Sequence, residues 1–241
     1  MTVVPTVPRK RLQISYNIPF SPLEGRQNAN FVGRECLLEQ LQATINAGVG
    51  GAKIIGVVLH GTGGMGKTQL ALQYVDLHHQ DYSSVFWVNA ASEQTLKLGY
   101  VYIMQRLIDH HAQLSDNYEP DYMEIGRLLG MAGKVNAAGR CSVQQQEDEQ
   151  NIVTAVKQWF NNEANTRWLL VFDNLDDLDS FDLNDYIPSG RHGTVIITSR
   201  RRESLQGRQG LEVSQMNDGE AERLLIQSAK FRFEDLNPSG K

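Results

Sequence analysis

A glycine-rich segment carries the residues of this chain whose types and spacing are best suited to chemistry. Residues 61–68 read Gly-Thr-Gly-Gly-Met-Gly-Lys-Thr, which is the spacing of a P-loop. Its glycines let backbone N–H groups point at phosphate oxygens, Lys67 adds a mobile positive charge, and Thr68 offers a hydroxyl to Mg²⁺. An apolar run precedes the segment and a helical pattern follows it. This context favours a P-loop over a glycine-rich turn that happens to contain Lys-Thr.

A second candidate is Asp173, which follows the apolar run from Trp168 to Phe172. A nucleoside triphosphate bound with Mg²⁺ needs an acidic residue on the metal side, and Thr68 and Asp173 would share the ion directly or through water. The alternative is an acid that caps the turn at Asn174. The presence of a P-loop favours the metal-binding role.

A third candidate is Arg200, which comes just after the apolar run from Thr194 to Thr198. A guanidinium fixed at this point could contact the terminal phosphate of a nucleotide and sense whether it is there. Arg201 and Arg202 compete for this role, and an arginine that is merely exposed is the other alternative. Arg200 is preferred because it lies nearest the apolar run.

These candidates fall at the ends of apolar runs that alternate with helical patterns, which predicts a parallel sheet with helices on both faces. Ligands of such sheets bind beyond the carboxyl ends of the strands, so the candidates should meet at one edge. Helices are predicted around residues 37–45, after the P-loop, over 93–109, around 152–160, and after a capping box at Asn217 to Glu220. Between 118 and 146 the pattern weakens and predicts helix pieces joined by a loop. The strands are predicted from residue 54 and at 84–88, 168–172, 194–198 and 211–213.

The composition limits the class of protein. The chain has 241 residues, 41% hydrophobic and 21% charged, with a net charge of -5. It is therefore expected to be an α/β domain with attachments and not a general nucleic-acid binder. Cys36 and Cys141 are too few for a disulfide framework or a zinc site. No apolar run approaches the roughly 20 residues that span a bilayer and no secretory pattern is present, so a cytoplasmic location is predicted. Residues 1–30 contain several prolines and little periodicity, which predicts an extended arm that is not packed.

Five motifs occur in the order of the NB-ARC domain, so the chain resembles a STAND-class signalling ATPase. The stretch Val-Phe-Trp-Val-Asn-Ala at 85–90 is similar to the fungal branch of that class. Together the motifs cover most of residues 31 to 229. They are Phe-Val-Gly-Arg-Glu at 31–35, the P-loop at 61–68, Leu-Leu-Val-Phe-Asp-Asn at 169–174, Gly-Thr-Val-Ile-Ile-Thr-Ser-Arg at 193–200, and Glu-Ala before Leu-Leu at 220–225.

The resemblance implies roles for particular residues. Val32 and Arg34 would hold the adenine end, and Arg200 would be the sensor of the terminal phosphate. The residues that would hold the phosphates are Gly61, Gly63, Gly64, Met65, Gly66, Lys67, Thr68 and Gln69. The resemblance also implies a P-loop NTPase fold with the strand order 5-1-4-3-2, in which an extra strand separates the P-loop strand from the strand of Asp173. The implied domains are an arm over 1–30, a nucleotide-binding domain over 31–215 and the beginning of a helical subdomain over 216–241.

Two features depart from the family pattern. The family continues into further helical and winged-helix subdomains that lock ADP in place, whereas this chain carries only the start of the first. Effector and sensor domains are therefore expected outside it. Asn174 stands where many relatives have a second acid beside the metal-binding Asp. Because an amide does not accept a proton as a general base, rapid hydrolysis is not expected.

The leading functional hypothesis is a switch that binds ADP or ATP with Mg²⁺, is closed with ADP, and self-associates with ATP in the full-length protein, as in immune or cell-death signalling. Neither a membrane segment nor a specific nucleic-acid partner is expected. An AAA+-like motor or remodelling ATPase would instead turn over continuously, and a small-molecule kinase would need an acceptor pocket that no residues suggest. The lack of an Asn-Lys-x-Asp pattern disfavours guanine, but the choice of adenine rests on the resemblance.

Overall fold

A parallel sheet forms where the sequence has short apolar, β-branched runs, which suit strands that are buried on both faces. A computed structural model describes residues 13–20, 31–48, 53–115, 119–143, 145–202 and 208–236. Within these residues the strands are β1 (Ile55–His60), β2 (Ser84–Asn89), β3 (Trp168–Asp173), β4 (Thr194–Ser199) and β5 (Gln209–Glu212).

The strand order is β5-β1-β4-β3-β2, and every neighbouring pair is parallel. This confirms the predicted order and the extra strand, since β4 lies between β1 and β3. The central strands β3 and β4 are buried along their whole length. The carboxyl ends of β1, β3 and β4 therefore meet at one edge, where ligands of such sheets bind.

Helices cover both faces of the sheet, as predicted. On one face α1 and α2 pack Leu41 and Leu70 against β1. On the other face α3 and α5 pack Tyr100 and Trp159 against β2 and β3. The helices in the described part of the chain are α1 (Glu35–Gly48), α2 (Lys67–His78), α3 (Glu93–Gln113), α4 (Tyr122–Leu128), α5 (Gln146–Asn161) and α6 (Asp218–Leu236). No helix among the described residues has the length and apolar character needed to cross a bilayer.

Residues 13–20 pack against the domain, so the prediction of an unpacked N-terminal arm is wrong for this segment. Every second side chain from Ile14 to Phe20 is apolar and contacts a hydrophobic cluster, and Ile18 is only 3% exposed. The Ile18 N–H donates to the Ser83 carbonyl oxygen at 2.9 Å, just before β2. Period-two alternation is the pattern of a half-buried extended segment, and the prolines around it concealed this signal.

A buried histidine on α3 holds the same segment. The Nδ1–H of His111 donates to the Leu107 carbonyl oxygen at 2.6 Å, which leaves Nε2 to accept the Ser15 N–H at 2.9 Å. Burial lowers the pKa of His111, although the bond to Leu107 opposes the shift. The neutral ring is thus the form that holds Ser15 in place, and the Trp159 indole N–H donates to the Ser15 carbonyl at 3.3 Å.

Two elements have boundaries that differ from the predicted ones. Strand β5 begins at Gln209 and not at residue 211, because its residues pair in register with β1 from Val57 onward. Helix α3 continues to Gln113 and not to 109, because His111 and Ala112 in its last turn are buried against the core. Both shifts follow from tertiary pairing and packing, which override local sequence signals.

Candidate functional site

The loop between β1 and α2 adopts a conformation that favours glycine, as its first and last glycines show. Gly61 has a φ of 148°, and a Cβ there would lie 2.4 Å from the Val213 carbonyl oxygen. Gly66 has a φ of 85° immediately before α2 begins. The loop consequently leaves the N-terminus of α2 accessible, where free N–H groups and the helix dipole favour an anion.

Lys67 curls back over this loop. Its Nζ donates to the carbonyl oxygens of Gly61 at 2.7 Å and Thr62 at 2.9 Å, and the residue is only 9% exposed. Burial lowers the pKa of the Lys67 ammonium; nearby Arg200 adds to the shift, while Asp176 opposes it. A buried cation whose hydrogen-bond partners among the described residues are neutral carbonyls is suited to a phosphate, whose negative charge would stabilise it further.

Asp173 at the end of β3 is turned toward the P-loop. Its Oδ1 accepts hydrogen bonds from the hydroxyls of Thr68 at 2.7 Å and Thr198 at 2.6 Å, and the residue is 4% exposed. It does not cap the next turn, because the Asn174 N–H donates to Thr198 Oγ1 at 2.9 Å instead. The carboxylate therefore lies beside the hydroxyl that a P-loop uses for Mg²⁺. The sequence did not predict the contact with Thr198.

Of the neighbouring residues Arg200 and Arg201, Arg200 is the one that lies beside the P-loop. Its guanidinium carbon lies 3.5 Å from the position that a Cβ on Gly63 would occupy. The Asp176 carboxylate holds it there, with Oδ2 3.0 Å from Arg200 Nε and Oδ1 accepting the Arg200 backbone N–H at 2.7 Å. Arg201 pairs with Asp179 at 3.2 Å instead. The ion pair between Arg200 and Asp176 is a second feature that the sequence did not predict.

A polar cavity of about 290 Å³ brings these side chains together. It combines the P-loop, the start of α2, and the loops that follow β3 and β4. Its lining residues are Gly63, Gly64, Gly66, Lys67, Thr68, Gln69, Asn174, Asp176, Thr198, Ser199 and Arg200. Cations, hydroxyls and loop N–H groups around one space are the groups that bind a chain of phosphates.

A more apolar cavity, also of about 290 Å³, lies on the other side of the P-loop. It is bounded by the segment before α1, the loop after β5, and α6. Its lining residues are Phe31, Val32, Arg34, Gly64, Met65, Gly66, Gln69, Gln215, Met216 and Leu224. A flat apolar base with a few polar edge atoms suits such a space. The contributions of Phe31, Met216 and Leu224 were not predicted.

Arg34 builds the wall of this cavity. Its guanidinium NH2 donates to the carbonyl oxygens of Met65 at 3.3 Å and Ser214 at 2.6 Å, and its φ is 66°. Its backbone N–H donates to Glu220 Oε1 at 2.7 Å, while Glu220 Oε2 accepts the Asn217 N–H at 3.0 Å. The predicted capping box is thus present, and its glutamate also ties α6 to the cavity wall.

Gln69 connects the two cavities. It lines both, together with Gly64 and Gly66. Its Oε1 is buried and has no hydrogen-bond partner within the part of the chain that the structure describes. Because a buried acceptor without a partner costs free energy, this atom is suited to a donor on a ligand that extends from one cavity into the other.

The structure places almost all the predicted binding residues around these cavities. One or both cavities are lined by Val32, Arg34, Gly63, Lys67, Thr68 and the rest of the set. The exception is Gly61, whose carbonyl oxygen accepts a hydrogen bond from the Lys67 ammonium. Asp173 lies just behind the cavity wall, bonded to Thr68. The signal that could have found Thr198 is its polar side chain in an otherwise apolar run next to the strand of Asp173.

The fold and this pair of cavities define the class of P-loop nucleoside triphosphatases. Residues 30–184 match the AAA ATPase domain family. Because that match covers more than half of the chain, the chain belongs to this family.

Two other similarities were found. A "nucleotide-binding leucine-rich repeat (NLR)-like protein" of Hyaloscypha variabilis is 25% identical over an alignment of 246 residues. The alignment covers 92% of this chain and 21% of the relative. The chain thus spans about a fifth of that protein. The ORC2 protein of Aeropyrum pernix, solved as ADPNP-ADP complexes, is similar over 86% of this chain and 54% of its own, with a TM-score of 0.41 and 15% identity.

Proposed function

We propose that this chain is the nucleotide-binding part of a switch of the NB-ARC type, in which ADP and ATP favour different arrangements of a longer protein. The polar cavity is here termed the phosphate cavity, and the more apolar cavity the base cavity. The observation that carries the proposal is that the base cavity is built from both the P-loop domain and α6, which Glu220 ties to Arg34 at 2.7 Å. A ligand in this cavity contacts both of these elements. Its phosphates can therefore bias their arrangement.

The proposed roles follow the two cavities. Val32, Arg34 and Met65 hold the adenine end, and the loop N–H groups with Lys67 hold the phosphates. Thr68 and Asp173 hold Mg²⁺, which binds oxygen ligands and neutralises phosphate charge when present. Two protein oxygens suit this ion, because Mg²⁺ usually completes its shell with water and phosphate oxygens.

Slow hydrolysis is part of the proposal. Asn174 lines the phosphate cavity beside Asp173, and its amide does not act as a general base. The nearby acids are already engaged, since Asp176 pairs with Arg200 and Asp177 accepts a hydrogen bond from the Ser180 hydroxyl at 2.5 Å. Bonds from Ser180 and the backbone lower the pKa of Asp177, which makes it a weaker base.

The proposal extends to the whole protein. The NLR-like name of the Hyaloscypha relative and the NB-ARC motif order support a cytoplasmic signalling protein that self-associates with ATP and carries effector and sensor domains outside this chain. Innate immune or cell-death signalling is the proposed setting.

The alternative is an AAA+-like motor or remodelling ATPase, which the match to the AAA ATPase domain family favours. Steady turnover of saturating Mg-ATP by the purified chain separates the two. A switch is expected to retain bound nucleotide and to hydrolyse ATP far below the ~1–10³ s⁻¹ of typical enzymes. Turnover within that range would support the motor. A folded chain that binds neither ADP nor ATP would contradict both functions.

A further inference from the structure

The Arg200 side chain is held by a carboxylate at the place where a terminal phosphate would be recognised. Asp176 contacts Arg200 twice, at the side-chain Nε at 3.0 Å and at the backbone N–H at 2.7 Å. Both residues line the phosphate cavity together with Lys67. A carboxylate and a phosphate bind a guanidinium in the same way, so Asp176 holds one donor, Arg200 Nε, that a terminal phosphate could use.

We propose that Asp176 sets the preference of this site between nucleoside triphosphates and diphosphates by competing with the terminal phosphate for Arg200. The proposal rests on the nucleotide site described above and adds a residue that determines its specificity. In this proposal the terminal phosphate of a triphosphate takes Arg200 Nε from Asp176, whereas a diphosphate leaves the pair intact. Asp176 therefore weakens triphosphate binding selectively and favours the diphosphate-bound state.

The backbone around Asp176 is fixed, which keeps the competitor in place. The Leu175 N–H donates to the Thr198 carbonyl at 2.9 Å, and the Ser199 hydroxyl donates to the Leu175 carbonyl. The Asp176 N–H donates to the Asn174 carbonyl at 2.9 Å. These bonds join strand β4 to the loop after β3 directly beside the ion pair. The backbone therefore fixes the distance between Asp176 and Arg200.

The side chains themselves are free enough to exchange partners. The Arg200 side chain is 68% exposed and that of Asp176 is 34% exposed. Solvent screens such a pair, so breaking the contact to Nε costs little and a phosphate can replace it. Lys67, Asp176 and Arg200 line the same cavity, so both charges of the pair lie within reach of the cation at the P-loop.

The substitution Asp176→Asn tests the competition with little change in shape. The amide oxygen still accepts the Arg200 backbone N–H, but the negative charge that holds the guanidinium is lost. Titration calorimetry with Mg²⁺ would compare ADP and a non-hydrolysable ATP analogue. The ratio of triphosphate to diphosphate affinity is expected to rise about two- to fivefold, as befits an exposed ion pair.

Two further variants make the test specific. Asp179→Asn is the matched control, because it removes the partner of Arg201 at 3.2 Å outside the phosphate cavity, and it should leave the ratio unchanged. In an Arg200→Ala background the effect of Asp176→Asn on the ratio should disappear.

Three outcomes would overturn the proposal. An unchanged ratio in Asp176→Asn would show that no competition exists. The same rise in the Arg200→Ala background would show that Asp176 acts by simple repulsion of phosphate. A fall in the ratio would show that Asp176 presents Arg200 to the phosphate and does not withhold it. Each is measured on a chain that binds nucleotide, so none is confused with the failure of the nucleotide site itself.

Discussion

Lys67 is a buried cation whose surroundings suit a negatively charged ligand. It is buried to 9% exposure with only two carbonyl oxygens as hydrogen-bond partners in the described structure. The removal of its charge should therefore cost binding more than folding.

The substitution Lys67→Ala should weaken ADP binding by about 1.5–3 kcal/mol, the range of hydrogen bonds to charged groups. Titration calorimetry measures the loss. Lys97→Ala is a matched control, because Lys97 is equally buried but pairs with Glu93 on α3 at 2.9 Å. Equal ADP affinities for wild type and a folded Lys67→Ala protein would contradict the assignment of the P-loop.

Asn174 offers a test of the chemistry. It has a φ of 66°, a conformation that aspartate tolerates almost as well as asparagine, so Asn174→Asp should fold normally. The added carboxylate should raise ATP hydrolysis, by up to the ~10²–10⁴-fold range of general-base catalysis. Phosphate release at saturating Mg-ATP measures it. Asn174→Ala, which removes the amide without adding a base, should stay slow; a matching rise there would argue against the role of the carboxylate.

At the scale of elements, the coupling between α6 and the P-loop domain depends on Glu220. Its two oxygens bond the backbone N–H groups of Arg34 and Asn217, and these bonds lower the pKa of its carboxyl group. Because Gly33 has a φ of 72° and its missing Cβ leaves room for the Glu220 side chain, the approach is close. A substitution at Glu220 should therefore change the shape of the base cavity.

The substitution Glu220→Ala should weaken ADP binding by about 0.5–1.5 kcal/mol, toward the lower end because the contact is partly exposed. The loss arises through the position of Arg34 and α6. Glu222→Ala on the exposed face of the same helix is the control. Unchanged ADP affinity in Glu220→Ala, measured by the same calorimetry, would mean that α6 does not shape the cavity.

The elements also show what the sequence could reveal. The apolar runs and the residues at their ends predicted the strands and most of the site, because strand burial and P-loop spacing are local properties. The strand order came from the family resemblance, since spacing does not specify which parallel strands are neighbours. Thr198, Asp176 and the second bond of Glu220 were missed because each depends on a partner far away in the chain. The packing of residues 13–20 was not predicted, although apolar and other residues alternate visibly in this segment.

At the scale of the whole molecule, His111 makes stability depend on pH. Burial lowers the pKa of His111 below its usual value near ~6.5. Between the folded and unfolded pKa values the unfolded chain binds more protons, so the free energy of unfolding falls as pH falls through ~6.5 and levels off below the folded pKa. The slope contributed by one site is at most ~1.4 kcal/mol per pH unit.

Urea unfolding between about pH 5 and 7.5 should show this loss. His111→Leu should be less stable near neutral pH but should lose less stability on acidification. His110, whose pKa is lowered by burial and by His111 and Arg106, leaves a residual slope. The exposed His192→Gln serves as control. If the free energy of unfolding fell equally with pH in wild type and His111→Leu, protonation of His111 would not destabilise the fold.

The packing of residues 13–20 has a consequence for handling the protein. Tyr16 and Ile18 pack in the hydrophobic cluster that contains Phe86 and Trp159, with the Tyr16 and Trp159 ring centres 5.6 Å apart. If the chain began at residue 25, this apolar surface would be left open, and such patches promote adhesion between copies. A chain begun at residue 13 should stay dispersed at concentrations where the shorter one scatters light, with or without nucleotide. Equal scattering from both would mean that the segment is dispensable for solubility.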